Sequence, residues 1–425
     1  MVVRNVNSGD VGLTLAVGTP YKENSITQIA GGAARRNMLS DFYTTVYTGA
    51  RAARLAQRVP NARIARSLER EFGRRSFPGV PPETVRLKAS AYEIAYVASR
   101  RLHLPKIASR LTFVVKERFD REMAGALRVS QARAVVGMWG SAAATLACAK
   151  ATGRFGVLNY VNSHPRVINR LLRDLADVPA GHHEYVPPQV IEAVEREMGA
   201  ADLLLVPSEF VASELRALGI ADERIAVEPY GVDLSAFRPP AAGRPRSTNG
   251  TMHVLCIALV AHRKGIRTLV AAARRLEHEG FVFHLSGAVV EPSLLEGVPS
   301  NFRYEGIRVQ SEVVAAMQAA DVFVLPSIED AYPLAVMEAM ATGLPPIVSD
   351  HVGVAERLEN GVTGSIVPAG NVDRLVDAIA AYRDADLRER VGSAAERFVR
   401  TNGSWDMYAA NVLAHIEARI MARGR

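Results

Sequence analysis

The chain has 425 residues, 48% of them hydrophobic and 22% charged. This is ordinary globular composition at a length that predicts two or three domains, which excludes a disordered, collagen-like or disulfide-rich chain. The net charge of +7 is unevenly spread: residues 1–173 hold 28 Lys and Arg against 10 Asp and Glu, the remainder 23 against 34. A basic first half points to an anionic partner, a chemistry shared by phosphate-bearing acceptors, anionic membrane surface and nucleic acid.

The first apolar run, residues 11–17, follows Asp10 without a basic flank and does not resemble a secretory signal. Residues 51–75 place Arg51, Arg54 and Arg58, then Arg63, Arg66, Arg70 and Arg74, at helical spacing opposite an alanine-rich apolar stripe. Two readings stay open there, a membrane-surface hairpin and a solvated arginine face. The longest apolar stretch, 133–150, is interrupted by Gly137, Gly140, Ser141 and Thr145 and is shorter than the ~20 residues a membrane span needs. Cys148 and Cys256 form no CxxC pair, so a cytoplasmic protein, peripheral on the inner membrane face at most, is expected.

Strand-length apolar runs at 13–17, 134–138, 156–160 and 203–206 alternate with amphipathic segments. A second series runs through 254–259, 282–285, 322–325 and 346–348. Buried runs separated by helices predict parallel sheets covered on both faces, in two doubly wound α/β domains. The Pro-, Gly- and Arg-rich stretch around 237–250 reads as a linker. The expected domains are therefore 1–235 and 251–425, with 236–250 between them and a last helix near 405–422 free to pack on either.

His182-His183-Glu184 suggests a metal, but adjacent side chains diverge on a regular backbone and Pro187-Pro188 marks a loop, so a surface turn is expected. Asp384-Ala-Asp386 sits between two helical segments, where Asp is an ordinary cap. No P-loop, GxGxxG after the first strand, GxSxG or HExxH is present. Aromatic platforms do not interleave with the arginines, so nucleic acid is not an expected partner.

The most informative stretch joins strand 322–325 to a helix beginning near Pro333 and stopping at Gly343. Asp330 stands on the connecting loop, Glu329 beside it, and Glu338 on the helix. Ligands of open α/β sheets bind beyond the carboxyl ends of strands, and a helix start offers free amides to a diphosphate. Asp330-x7-Glu338 followed by Ala-Met-Ala-Thr-Gly-Leu-Pro345 resembles the hallmark of the retaining family-4 glycosyltransferases of GT-B fold, glycosyl transferases group 1. Gly31-Gly32, Asn162-Ser163-His164-Pro165, Pro207-Ser208-Glu209-Phe210, Tyr230-Gly-Val-Asp233, Arg263-Lys264-Gly265 and Gly361-Val-Thr-Gly364 resemble further motifs in the same order.

That resemblance implies two Rossmann-like domains facing a cleft, an acceptor side followed by a donor side, and sugar transfer from a nucleoside-diphosphate sugar to a hydroxyl with retention. The implied setting is cell-envelope polysaccharide or glycolipid synthesis, and the basic first half of the chain favours an acceptor that is lipid-linked or anionic. Arg263 and Lys264 would neutralise the donor diphosphate without metal or other cofactor, joined by the amides of Leu334 and Ala335. Glu338 would hold the ribose, Asp330 or its neighbour Glu329 the donor sugar, and Ile307 with its loop the nucleobase. His164 would face the sugar, and Gly31 and Gly32 would let backbone approach the phosphates. The chain departs from the family at Asp330, where Glu is usual, at Leu259, where Arg or Gln is usual, and at Pro333 in place of Gly. A nucleotide-sugar epimerase of the same fold and a degenerate nucleotide-binding scaffold are the competing readings.

Overall fold

A computed structural model describes residues 12–47, 76–102, 104–241 and 250–423. The arginine-rich segment 51–75 lies outside the described residues, as does most of the 236–250 stretch. The first parallel sheet contains β1 (Leu15–Gly18), β2 (Leu39–Thr44), β3 (Val85–Leu87), β4 (Ala134–Met138), β5 (Phe155–Asn159), β6 (Leu203–Val206) and β7 (Ile225–Val227). The second contains β8 (Met252–Ile257), β9 (Phe281–Ser286), β10 (Phe302–Tyr304), β11 (Val322–Leu325), β12 (Pro346–Ser349) and β13 (Ser365–Val367). Their orders are β3-β2-β1-β4-β5-β6-β7 and β10-β9-β8-β11-β12-β13. Each order reverses once, between β1 and β4 and between β8 and β11. In a doubly wound sheet that reversal opens a crevice at the carboxyl ends of the two strands.

The central strands form because their residues can be buried on both faces. Every residue of β4 (Ala-Val-Val-Gly-Met) and β11 (Val-Phe-Val-Leu) is buried. The helices between strands are α1 (Asn24–Arg35), α2 (Ser90–Arg101), α3 (Pro105–Leu127), α4 (Ala143–Ala151), α5 (Pro165–Asp174), α6 (Pro188–Ala200) and α7 (Glu209–Ala217). After β8 come α8 (Ile266–Arg275), α9 (Gln310–Ala319), α10 (Leu334–Ala341), α11 (Val372–Ala381), α12 (Ala385–Asn402) and α13 (Trp405–Arg423). Asp384 caps α12 by accepting from the amides of Asp386 and Leu387, the capping role its position suggested. Among the described residues no helix is long and apolar enough to cross a membrane.

The chain gathers into two compact units. One holds Met1–Asn159, Ala193–Leu204 and Ala409–Arg425, the other Tyr160–Glu192 and Leu205–Tyr408.

Within the first unit, Gly31 and Gly32 require a correction. They do not follow β1: the turn there is Thr19 to Glu23, and Glu23 caps α1 by accepting from the Ile26 amide at 3.0 Å. Both glycines lie buried well inside α1. A Cβ on Gly32 would stand 2.6 Å from the Ala409 Cβ on α13, whereas one on Gly31 would meet nothing nearer than the Pro78 carbonyl at 3.5 Å. The close approach they permit is thus to protein, away from the strand end where a phosphate would need them. Gly32→Ala is expected to lower unfolding free energy by about 1–3 kcal/mol through overpacking. Gly31→Ala should instead be neutral or gain up to about 1 kcal/mol from helix propensity. Urea unfolding of both variants checks this, and equal effects would refute the helix-contact account.

Candidate active site

The carboxyl ends of β8 and β11 meet at the second sheet's reversal. Beyond β8 the chain makes a single 3-10 turn, His262–Lys264, and enters α8 through Gly265 at φ +68°. A Cβ there would lie 1.9 Å from the Pro326 carbonyl oxygen, so this near contact with the end of β11 is open only to glycine. The loop after β11 then bonds to the turn: the amides of Ile328 and Glu329 donate to the Arg263 carbonyl at 2.9 and 3.3 Å.

This backbone pairing sets the side chains. Arg263 Nη1 donates to Glu329 Oε2 at 2.9 Å, and Lys264 Nζ donates to Asp330 Oδ2. Lys264, Glu329 and Asp330 are all buried. Burial pulls the Lys264 pKa below its ordinary value, against the opposing pull of Asp330. The other oxygen of Glu329 has no hydrogen-bond partner among the described residues. The cations and carboxylates expected at the donor site are therefore brought together, and they are paired with one another.

Next along the chain, α10 begins after Pro333. Among the described residues no carbonyl accepts from the Leu334 or Ala335 amide. Glu338, one turn further, is half-buried, and burial pushes its carboxyl up to about 7. Ile307 is 75% exposed after β10, an edge strand that β9 separates from β8.

His164 differs from expectation. Its ring is 1% exposed, and its Nδ1 accepts from the Arg166 amide at 3.2 Å, which makes it the cap of α5. Its own amide donates to Glu214 Oε2 at 3.2 Å. A sealed capping ring is not placed to touch a sugar directly. Glu214 itself was missed. Burial pushes its carboxyl up to about 8, and the neighbouring Glu329 carboxylate adds to the shift. The available signal was its position on α7, where it shares a face with buried Val211 and Leu215.

The 182–184 segment also differs. The chain turns irregularly after Gly181 at φ +83°, so the divergence expected of adjacent side chains does not hold. His182 Nε2 and His183 Nε2 lie 3.0 and 3.9 Å from Glu291 Oε2, and ligand atoms of the three fall within 4.8 Å of one another. His182 Nδ1 accepts from the Glu184 amide at 3.3 Å, so its Nε2 carries the proton and donates to Glu291. Glu184 accepts from the amides of His262 and Arg263 at 2.8 and 3.2 Å and so ties down the start of the cationic turn.

Residues 251–384 match the family model of glycosyl transferases group 1. WcaL of Escherichia coli K12, whose name assigns it to colanic acid biosynthesis, is 30% identical over 44% of this chain and 49% of its own length. A D-inositol 3-phosphate glycosyltransferase of Kribbella flavida is 28% identical over 61% and 64%. The chain spans about half the length of the curated WcaL relatives from Escherichia coli and Salmonella typhimurium. Among solved structures, sucrose-phosphate synthase of Thermosynechococcus elongatus superposes with a TM-score of 0.67 at 17% identity, covering 97% of this chain and all of the other. HepE of Anabaena, solved with UDP and glucose, gives 0.62 at 13%, covering 96% and 100%. The two parallel sheets with their helices are the GT-B fold that these solved structures share.

Glu214 makes stability depend on pH with a definite sign. From its ordinary value of 4.5 up to about 8, the native protein keeps a proton that the unfolded chain has lost, so stability falls as pH rises through that window. Gln is neutral throughout. Melting curves of wild type and Glu214→Gln should lie close together near about pH 5 and separate toward about pH 8.5, with the variant the more stable there. Parallel curves would refute the raised carboxyl.

Proposed function

We propose that the chain moves a sugar from a nucleoside-diphosphate sugar to an acceptor hydroxyl with retention of configuration, in the synthesis of a cell-envelope polysaccharide or glycolipid. The observation that carries this reading is the meeting of Arg263–Glu329 and Lys264–Asp330 beside the amides of Leu334 and Ala335, at the reversal of the second sheet. Cations, helix-start amides and carboxylates converge there on the place where a doubly wound sheet takes a nucleotide.

Arg263 uses one guanidinium nitrogen on Glu329 and keeps other donors for a diphosphate. As the anomeric bond breaks, charge grows on the departing diphosphate, and stabilising that charge is the largest catalytic contribution. The cations supply it here without a metal. Glu338 receives the ribose hydroxyls, and because burial holds its carboxyl near 7, nucleotide binding strengthens as pH rises through that value. The names of relatives in colanic acid and amylovoran biosynthesis support a polysaccharide product. One observation favours a binding scaffold instead: the four charges of the two pairs sum to zero, and Leu259 presents an apolar side chain, 41% exposed, beyond β8.

The test is turnover of UDP-, GDP-, ADP- and dTDP-sugars with cell-envelope extract as acceptor, with and without EDTA. Transfer that survives EDTA is expected, with Arg263→Ala lowering kcat by about 10²-fold. Strict metal dependence would remove the metal-free clamp. Isomerised donor without acceptor would indicate an epimerase, and nucleotide binding without transfer a scaffold.

A further inference from the structure

We propose that the reversal point of the first sheet seats an anionic group carried by the acceptor, with Lys116 as its cation. This rests on the glycosyl-transfer reading and names the charge and the residue on the acceptor side. Strands β1 and β4 are neighbours at that point. Tyr21 lies just beyond β1, and Trp139-Gly140 just beyond β4. Lys116 reaches the same place from α3. Its Nζ stands 5.5 Å from the Tyr21 ring centroid and 6.0 Å from that of Trp139. Gly140, at φ +77°, leaves the space open: a Cβ there would come within 3.4 Å of the ammonium.

The ammonium is in no contact ion pair among the described residues. Among them Lys116 makes no salt bridge or hydrogen bond; its ammonium lies against the two aromatic faces and feels the Glu197 carboxylate from beyond ion-pair distance. The carboxylates around it are engaged elsewhere. Glu197 accepts from the amides of Gly140 and Ala142 at 2.7 and 2.9 Å. Asp120, one turn along α3, accepts from Ala144 and Thr145 at 2.7 and 2.8 Å. Those bonds pin the loop after β4. Lys116 is half-buried; burial lowers its pKa, and the Glu197 carboxylate, occupied with the two amides, offsets only part of that. A cation taken partly out of water is stable when an anion joins it. Tyr21, one wall of this place, is itself 37% exposed. Aromatic walls beside a single cation suit a sugar-like ring that carries one negative group, a phosphate or a carboxylate.

Isothermal titration of the full chain with glucose 6-phosphate, glucuronate and glucose tests this. Wild type should bind at least one of the two anionic probes and bind glucose at least about tenfold more weakly. Which anion binds tells phosphate from carboxylate. Lys116→Met should lose that affinity by about tenfold or more, Lys116→Arg should recover part of it, and Arg263→Ala should keep it. Retained affinity in a folded Lys116→Met, equal affinity for glucose, loss in Arg263→Ala, or no binding of either anion by wild type would overturn the proposal. UDP and GDP titrated into the same samples separate the two readings: nucleotide binding without anionic-sugar binding removes this inference and leaves the proposed function standing.

Discussion

The second sheet's site depends on one near-collision. At Gly265 the backbone passes so close to the Pro326 carbonyl that any side chain would overlap it. That contact brings the turn after β8 within hydrogen-bonding distance of the loop after β11, and the amides of Ile328 and Glu329 close onto Arg263. Two cations and two carboxylates then become neighbours although more than sixty residues separate them in sequence. Ion pairs of this kind contribute little net stability, because desolvating four charges offsets their attraction. Their consequence is positional. Removing one partner leaves a buried charge alone, at a cost of about 3–5 kcal/mol, so the four side chains hold one arrangement.

Much of the loop structure in both units is fixed by one device, a carboxylate that reaches across the chain to backbone amides. Asp120 and Glu197 do so for the loop after β4, Glu184 for the His262–Lys264 turn, Glu214 for the start of α5, and Glu356 for the start of α7 through the amides of Glu209 and Phe210. Each satisfies donors that a strand-to-helix turn leaves open. The device has a penalty that shows in protonation: burial pushes Glu197 up to about 7 and Glu214 to about 8. Loop order is thus tied to pH, and alkaline conditions load charge onto the groups that hold the loops.

What was legible in the sequence follows the strength of the physical signal. Eight strands have apolar runs long enough to read, and each lies in a sheet interior. The strands without a run are β3, β7, β10 and β13, each of three residues and each at a sheet edge, together with β2, whose Leu-Ser-Asp-Phe-Tyr-Thr mixes classes. Edge strands are half-covered and need no continuous apolar sequence. At the site, Arg263, Lys264, Glu329, Asp330, Leu334, Ala335 and Glu338 were legible because they are local to two motifs. Their pairing was not, since it depends on a contact between distant loops. Glu214 and Glu184 act through backbone amides far along the chain, and no local pattern announces that. Gly31-Gly32 misled for the opposite reason: a glycine pair looks alike whether it admits a phosphate or a helix.

On the proposed donor-site reading, the self-compensation of the second site also constrains how a nucleotide would enter it. A diphosphate approaching Arg263, Lys264, Glu329 and Asp330 meets no net charge, so long-range attraction is weak and contact geometry decides. Arg263 has five donors and Lys264 three, so each holds its carboxylate and still offers hydrogen to phosphate. The amides of Leu334 and Ala335 add donors and the positive end of the α10 dipole, while Pro333 withholds one amide from the same turn. Glu329 and Asp330 hold the two cations in place, and the second Glu329 oxygen stays buried without a hydrogen-bond partner among the described residues. The departures from the family pattern at Asp330 and Pro333 lie in one site: the shorter carboxylate grips Lys264, and the turn that opens α10 has one amide fewer.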